Sequence, residues 1–495
     1  MPEVNPERLG SGVPGLDEVL DGGFLPGRSY LVLGTPGTGK TILALQWLRE
    51  GLSRGERVLY LTIGEPSAGI IRNVESLSWG VDDIPFVDAL PVTSRTAREE
   101  YSFLSPAEVE GSEVWNRIHD TVEEHAPDRL VLDSLTNLRH LSVDDFQFRR
   151  QILDLFARLA ERDGTTLATF DAIEHQREAV VAMAVDGVIR LDRKSSPSRT
   201  VGLRSLEVEK QRGSDYLSGE HAFEIDADGL RVFPHRIEQA AAAALDGRLL
   251  ASGVPQLDQL LRGGVPRGTT TLVTGPTGIG KSTLSTSFLV SGLNEGMRGT
   301  VYSFEEPRAM FFERSRGVGL DLDPWIENGS LKFRFINPLE VYPDEFLADV
   351  RHDIEAESRN FLLIDSLRGY RQVMAEFGSE LAHLKNLLTF SLSRQATVFL
   401  LYEMERITGD LMATEMGMSH LVDNVLLLRY AERSGHITRV LGCLKKRLGP
   451  FEPELREYEI TENGLSVGDR LDYMEGILTG AARIRDQHVP GVLGE

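Results

Sequence analysis

Residues 34–41 read GTPGTGKT and residues 275–282 read GPTGIGKS. Both follow the spacing G-x-x-x-x-G-K-[ST]. Gly34-Thr35-Pro36-Gly37-Thr38-Gly39-Lys40-Thr41 and Gly275-Pro276-Thr277-Gly278-Ile279-Gly280-Lys281-Ser282 are therefore candidate phosphate cradles. The residue types follow from the chemistry. Glycines let the backbone curl until successive N–H groups point inward at phosphate oxygens. Lys40 and Lys281 then reach toward the outer phosphates, while Thr41 and Ser282 offer a hydroxyl to Mg²⁺. An apolar strand precedes the first loop, Tyr30 to Leu33, and a helical pattern follows it, Lys40 to Ser53. A glycine-rich turn can match by accident, but two matches at equivalent places of an internal repeat exclude chance.

The repeat extends well beyond the loops. Residues 11–17 read SGVPGLD and residues 252–258 read SGVPQLD, and the same offset relates Lys40 to Lys281 and Glu65 to Glu306. A duplicated chain is therefore expected. Its parts are a first domain over 1–235, a linker over 236–247 that contains five consecutive alanines, a second domain over 248–468, and a tail over 469–495. Within the first half, strands at Arg57–Ile63, Arg129–Leu132 and Thr165–Phe170 alternate with helices near Ser67–Trp79 and Asp145–Arg162. Uniformly apolar strands alternating with helices predict an α/β fold, two tandem P-loop domains, each a mainly parallel sheet flanked by helices. Such sheets bind ligands at the carboxyl ends of their strands.

Composition narrows the function. A chain of 495 residues that is 41% hydrophobic and 26% charged reads as globular. No apolar run approaches the roughly 20 residues that span a bilayer, so no membrane partner is expected. The first residues carry no secretion signal, and the single cysteine, Cys443, excludes an internal disulfide, so a cytoplasmic home is expected. A net charge of −22 argues against a protein that grips nucleic acid.

Further acidic residues complete the candidate sites. Leu130-Val131-Leu132-Asp133-Ser134 and Leu362-Leu363-Ile364-Asp365-Ser366 each end an apolar strand in Asp-Ser. An ionised aspartate there favours a cation partner, so Asp133 and Asp365 join Thr41 and Ser282 as candidate metal ligands; a helix N-cap is the alternative. Hydrolysis needs a group that orients water and takes up its proton. After the second strand the halves read TIGEP (62–66) and SFEEP (303–307), so Glu305 and Glu306 are candidate bases, with only Glu65 in the first half. Adjacent carboxylates can raise each other's pKa, which suits that role. If both tips share one geometry, Gly64→Glu should restore a base to the first site.

Together, the duplicated S-G-V-P-x-L-D opening, the two loops, F-E-E-P and I-D-S resemble the KaiC-like double-domain ATPases of the RecA/DnaB-type superfamily. The resemblance runs from about Glu7 to Gly480. It implies RecA-like domains, ATP and Mg²⁺ as ligands, and a two-tiered homohexameric ring with ATP between neighbouring subunits. It also implies partners of the Kai type or other signalling proteins. The first glutamate of the pair would be the base, a position matched by Glu305 and, in the first domain, by Gly64. Lys210 with Arg212, and Lys445 with Arg447, match a pair that reaches a neighbour's nucleotide, and ordinary surface charge is the alternative.

Clock members phosphorylate an adjacent Ser-Thr pair. Ser419 matches the serine, but His420 stands in place of the threonine, and Thr414 matches another family threonine nearby. Ser419 is therefore the candidate phosphosite, or else an unmodified serine near a subunit contact. Leu471, Met474, Ile477 and Leu478 have helical spacing and predict a helix in the tail. The expected function is a hexameric signalling ATPase and serine/threonine autokinase, with the second domain the main catalytic site. The alternatives are a DNA-dependent recombinase or helicase of the same superfamily, and a non-catalytic nucleotide sensor.

Overall fold

The computed structural model describes residues 8–89, 106–140, 142, 144–172, 175–194, 202–236, 246–374, 377, 379–404, 420–433, 436–471, 474–475 and 483–484. The chain divides into two compact units, Met1–Arg236 and Ile237–Glu495. The alanine run of the expected linker, Thr414 and Ser419 lie outside the described residues.

The first unit contains strands β1 (Ser29–Gly34), β2 (Val58–Thr62), β3 (Phe86–Asp88), β4 (Arg129–Asp133), β5 (Thr165–Asp171), β6 (Gly187–Lys194), β7 (Leu203–Gln211), β8 (Glu220–Asp226) and β9 (Gly229–Phe233). They form one sheet in the order β3-β2-β4-β5-β1-β6-β7-β8-β9. Pairing is parallel from β3 through β6 and antiparallel from β6 to β9. In the second unit, β10 (Leu249–Leu250) pairs with β11 (Val265–Pro266). Its large sheet contains β12 (Thr270–Gly275), β13 (Gly299–Ser303), β14 (Leu331–Phe335), β15 (Phe361–Asp365), β16 (Thr397–Glu403), β17 (Asn424–Arg433), β18 (His436–Lys446), β19 (Leu455–Thr461) and β20 (Gly464–Arg470). The order β14-β13-β15-β16-β12-β17-β18-β19-β20 repeats that of the first sheet. Each unit is thus the tandem mainly parallel α/β domain that the repeat predicts.

The central strands are apolar throughout because both faces of the sheet are covered. In β1, Tyr30 and Val32 join a core with Leu43 and Trp47 of the helix Lys40–Ser53, while Leu31 and Leu33 point into a second core with Ile118 and Ile152. Alternate side chains leave a strand on opposite faces, so one apolar run serves two cores. The S-G-V-P-x-L-D opening is a closed turn in both units. Asp17 accepts the Ser11 amide at 2.8 Å, and Asp258 accepts the Ser252 amide at 2.6 Å.

Two features lie beyond what the sequence reading described. Strands β7–β9 and β18–β20 add an antiparallel sheet extension that strand–helix alternation did not predict. Of the tail residues at helical spacing, Leu471 follows the end of β20 at Arg470 and its amide bonds the Leu455 carbonyl at 3.0 Å, and Met474 lies in β21 (Met474–Glu475), which pairs with β22 (Arg483–Ile484), while Ile477 and Leu478 lie outside the described residues. No described helix is long and apolar enough to cross a membrane.

Candidate functional site

Each glycine-rich loop joins the central strand of its sheet to a 14-residue helix, Lys40–Ser53 in one unit and Lys281–Asn294 in the other. Gly39 and Gly280 start those helices at φ of 108° and 107°, and neither helix has a side-chain cap. The first N–H groups of each helix therefore have no intrahelical acceptor and, with the helix dipole, favour an anion. The antiparallel extension closes over the loops. A Cβ on Gly39 would come within 2.6 Å of Ile225 Cδ1 in β8, and one on Gly280 within 2.4 Å of Ile460 Cδ1 in β19. Only glycine fits either place, on conformation and on space alike. Arg204 of β7 also donates to the carbonyls of Gly37 and Thr38, at 3.1 and 3.2 Å. In the second unit the Tyr458 hydroxyl donates to the Ile279 carbonyl at 2.5 Å. These residues lie far from the loops in sequence and carry no motif of their own.

Both loop lysines are nearly buried and lie back against their own loops. The Lys40 ammonium donates to the Gly34 and Thr35 carbonyls at 2.8 and 3.2 Å and pairs with Asp171 at 2.8 Å. Lys281 donates to the Gly275 and Pro276 carbonyls, both at 3.0 Å. Burial pushes the Lys281 ammonium below the usual lysine range, against the opposing charges of Glu403, Asp365 and Glu305. Asp171 and Glu403 end equivalent strands, β5 and β16. Glu403 accepts instead from the Thr277 hydroxyl and pairs with Arg368 at 3.4 Å. Sequence reasoning missed this second pair of carboxylates, although the repeat places one at the end of each equivalent strand.

The Asp-Ser motifs lie beside the loops as expected, each with a cis peptide bond, Asp133–Ser134 and Asp365–Ser366. Thr41 donates to Asp133 at 3.1 Å and Ser282 to Asp365 at 2.6 Å, so both hydroxyl–carboxylate pairs are assembled. Their surroundings differ. Asp133 also accepts from the hydroxyls of Tyr60 and Thr169. Burial, reinforced by the Asp133 charge, pushes the Tyr60 phenol well above its ordinary range, so it remains a donor. Val301 and Leu401 occupy the matching positions of the second unit, and burial pushes the Asp365 carboxyl upward. No group of three or more His, Cys, Asp or Glu among the described residues forms a metal cage. A hydroxyl beside one enclosed carboxylate instead fits Mg²⁺, whose remaining ligands are ordinarily phosphate oxygens and water.

The strand tips separate the candidate bases. Glu305 follows β13 and is exposed, and its Oε1 accepts from the Ser366 hydroxyl at 2.6 Å, beside Asp365. Glu306 turns away, held by Arg314 at 2.9 Å. In the first unit Glu65 accepts from Asn73 at 3.2 Å, the position equivalent to Arg314. Glu65 is thus the counterpart of Glu306, not of Glu305. Gly64 holds the equivalent of Glu305 at φ 108°, and a Cβ there would stand 2.6 Å from Asn137 Nδ2. The two tips therefore do not share one geometry, and the condition on which Gly64→Glu alone would restore a base is not met. A glutamate simply added at position 64 meets a left-handed backbone and an occupied space.

Three of the paired cations near the domains' ends, Lys210, Lys445 and Arg447, are engaged within their own chain. Lys210 donates to the Ala182 and Val185 carbonyls at 2.8 and 2.5 Å, and Lys445 to the Val422 carbonyl at 2.7 Å. Burial, followed by the neighbouring Arg212 and Arg447, lowers both lysine pKa values. Arg447 pairs with Asp423 at 3.1 Å.

Comparison with known proteins agrees with this construction. A family model described as the ATPase KaiC matches residues 9–237 and again 250–472. The chain is 27% identical over 483 residues to the circadian clock oscillator protein KaiC of Parasynechococcus marenigrum, covering 97% of this chain and 93% of that one. It is 28% identical over 486 residues to the circadian clock protein KaiC3 of Synechocystis sp., covering 96% and 94%. Two P-loop sites on duplicated mainly parallel sheets, matched by the family model in both halves, establish that the chain belongs to the KaiC family of ATPases.

Proposed function

We propose that this chain hydrolyses ATP chiefly in its second domain, and that its first domain holds ATP and turns it over slowly. The observation that carries the reading is the contrast at the strand tips. Glu305 is oriented by Ser366 beside Asp365, whereas Gly64 offers no carboxylate at the equivalent place.

In this reading the loop amides and the first turn of the helix Lys281–Asn294 bind the phosphates, and Lys281 leaves its loop carbonyls to meet them. Ser282 and Asp365 hold Mg²⁺, as Thr41 and Asp133 do in the first domain. The metal, when bound, offsets charge on the phosphate oxygens. Glu305 orients a water toward the γ-phosphate and takes its proton as the water oxygen bonds to the γ-phosphorus and the bond to the bridging oxygen breaks, ADP leaving with that oxygen, a contribution of about 10²–10⁴ in rate.

The same reading includes a homohexamer with ATP between subunits. Lys210 with Arg212, and Lys445 with Arg447, reach a neighbour's nucleotide, Lys210, Lys445 and Arg447 leaving their present partners to do so. Signalling partners, in keeping with the clock proteins among the relatives, and phosphorylation of Ser419 belong to it as well. A cytoplasmic home is supported by the single, buried cysteine.

Steady-state ATP turnover of Lys281→Ala and Lys40→Ala, with assembly followed by sizing, tests the division of labour. Most turnover should disappear with Lys281→Ala, while Lys40→Ala should mainly weaken assembly. The opposite pattern would refute it.

A further inference from the structure

The strand tips of the two domains differ at two coupled positions. In the first domain the Asn137 carboxamide lies against Gly64: a Cβ built on Gly64 would stand 2.6 Å from Asn137 Nδ2 and 2.8 Å from its Cγ. The same Nδ2 donates to the Ile63 carbonyl, which fixes the carboxamide in place. The register that aligns Asp133 with Asp365 aligns Asn137 with Gly369. In the second domain the helix residue is thus the glycine, and it is Phe304, aligned with Ile63 and one residue before Glu305, that lies against it. A Cβ on Gly369 would come within 2.2 Å of Phe304 Cβ and 3.0 Å of its Cγ. Glu305 follows Phe304 without a left-handed backbone, whereas Gly64 requires one at φ 108°.

A side chain in the helix and a tip built like that of the second domain are therefore alternatives for one volume. We infer that Asn137 is a specificity-determining residue: it closes the first site to a strand-tip carboxylate and makes that domain an ATP-retaining site. The inference rests on the reading of Glu305 as the base. Two substitutions, not one, should then separate the domains. With glycine at 137 the tip can adopt the backbone that the second domain already shows, and a glutamate at 64 gains the course of Glu305.

The test is ATP turnover in chains carrying Glu305→Gln, so that the first site is read. Gly64→Glu with Asn137→Gly should exceed Gly64→Glu alone by about a hundredfold, the low end of what a positioned base supplies. Equal turnover in the two would overturn the inference. Stability gives an independent measure through Gly64→Ala, made with and without Asn137→Gly. The fall in first-domain melting temperature should be clearly smaller when Asn137 is replaced, and an equal fall in both backgrounds would also overturn it. Should Glu305→Gln by itself keep wild-type turnover, the base assignment fails, and the melting comparison still judges whether Asn137 closes the tip.

Discussion

Glu305 and Glu306 are adjacent in sequence, and substituting each by glutamine should give very different enzymes. Glu305→Gln keeps the shape of the side chain, and its amide oxygen can still accept the Ser366 hydroxyl, now at 2.6 Å from Oε1. What disappears is the capacity to take a proton from water. Turnover should fall about 10²–10⁴-fold, or roughly 3–5 kcal/mol of barrier. ATP affinity should hold or rise, because a negative charge near Lys281 and the phosphates has been removed. Glu306→Gln loses an ion pair with Arg314 whose side chains are 26% and 32% exposed. Partly exposed pairs contribute about 0.2–1 kcal/mol. Arg314 also keeps its place over the Phe311 ring, 4.7 Å from the centroid. The loss in turnover should stay within about fivefold. The assay is steady-state phosphate release at saturating Mg-ATP, with nucleotide affinity measured in parallel. Similar losses in both variants, or a larger one for Glu306→Gln, would refute the division made from the geometry.

Three other perturbations probe the scaffold. Tyr60→Phe should destabilise the first domain by about 1.5–3 kcal/mol in metal-free buffer, the value of a hydrogen bond to a charged group, since the ring stays packed on Phe86. Denaturant unfolding reads this, and a loss under 0.5 kcal/mol would mean that Asp133 does not depend on that hydroxyl. Gly280→Ala forces a Cβ to within 2.4 Å of Ile460 at φ 107°; the combined strain of about 2–4 kcal/mol should lower ATP affinity in the second domain by more than tenfold, measured calorimetrically. Hydrogen bonding from Lys332, then Arg359, holds the Glu357 carboxyl down to about 2 from an ordinary 4.5. Because the folded value is the lower one, its contribution is present above pH 4.5 and is lost as the pH falls toward 2. Glu357→Gln should flatten the acid limb of second-domain stability and cost about 1 kcal/mol at neutral pH, after allowance for solvent screening. An unchanged limb would show that the network does not depend on this carboxylate.

Parts of the site that are continuous in sequence were legible from it. The loops, the helices that follow them and the aspartates closing β4 and β15 each belong to one segment whose backbone does the positioning. TIGEP against SFEEP also showed which tip lacks a carboxylate, but not what fills the space. Glu306 and Glu65 looked like bases by position, yet Arg314 and Asn73 draw them to the neighbouring helix. Met474, read from its spacing as part of a helix, lies in the short strand β21, because the spacing of a few apolar residues does not by itself distinguish a helix face from a sheet edge.

By itself the sequence determined that this protein is a duplication, that each half is a phosphate-binding α/β domain, and that the halves are chemically unequal. These follow from local backbone requirements and apolar periodicity, which are written contiguously. Tertiary structure decided how they are unequal. Tyr60 and Thr169 reach Asp133 from separate strands and Asn137 meets Gly64 from a later helix, whereas in both halves alike the antiparallel strands lay an isoleucine, Ile225 or Ile460, over the loop. Such encounters depend on strand register and helix placement across long separations, and side chains so far apart leave no spacing to read.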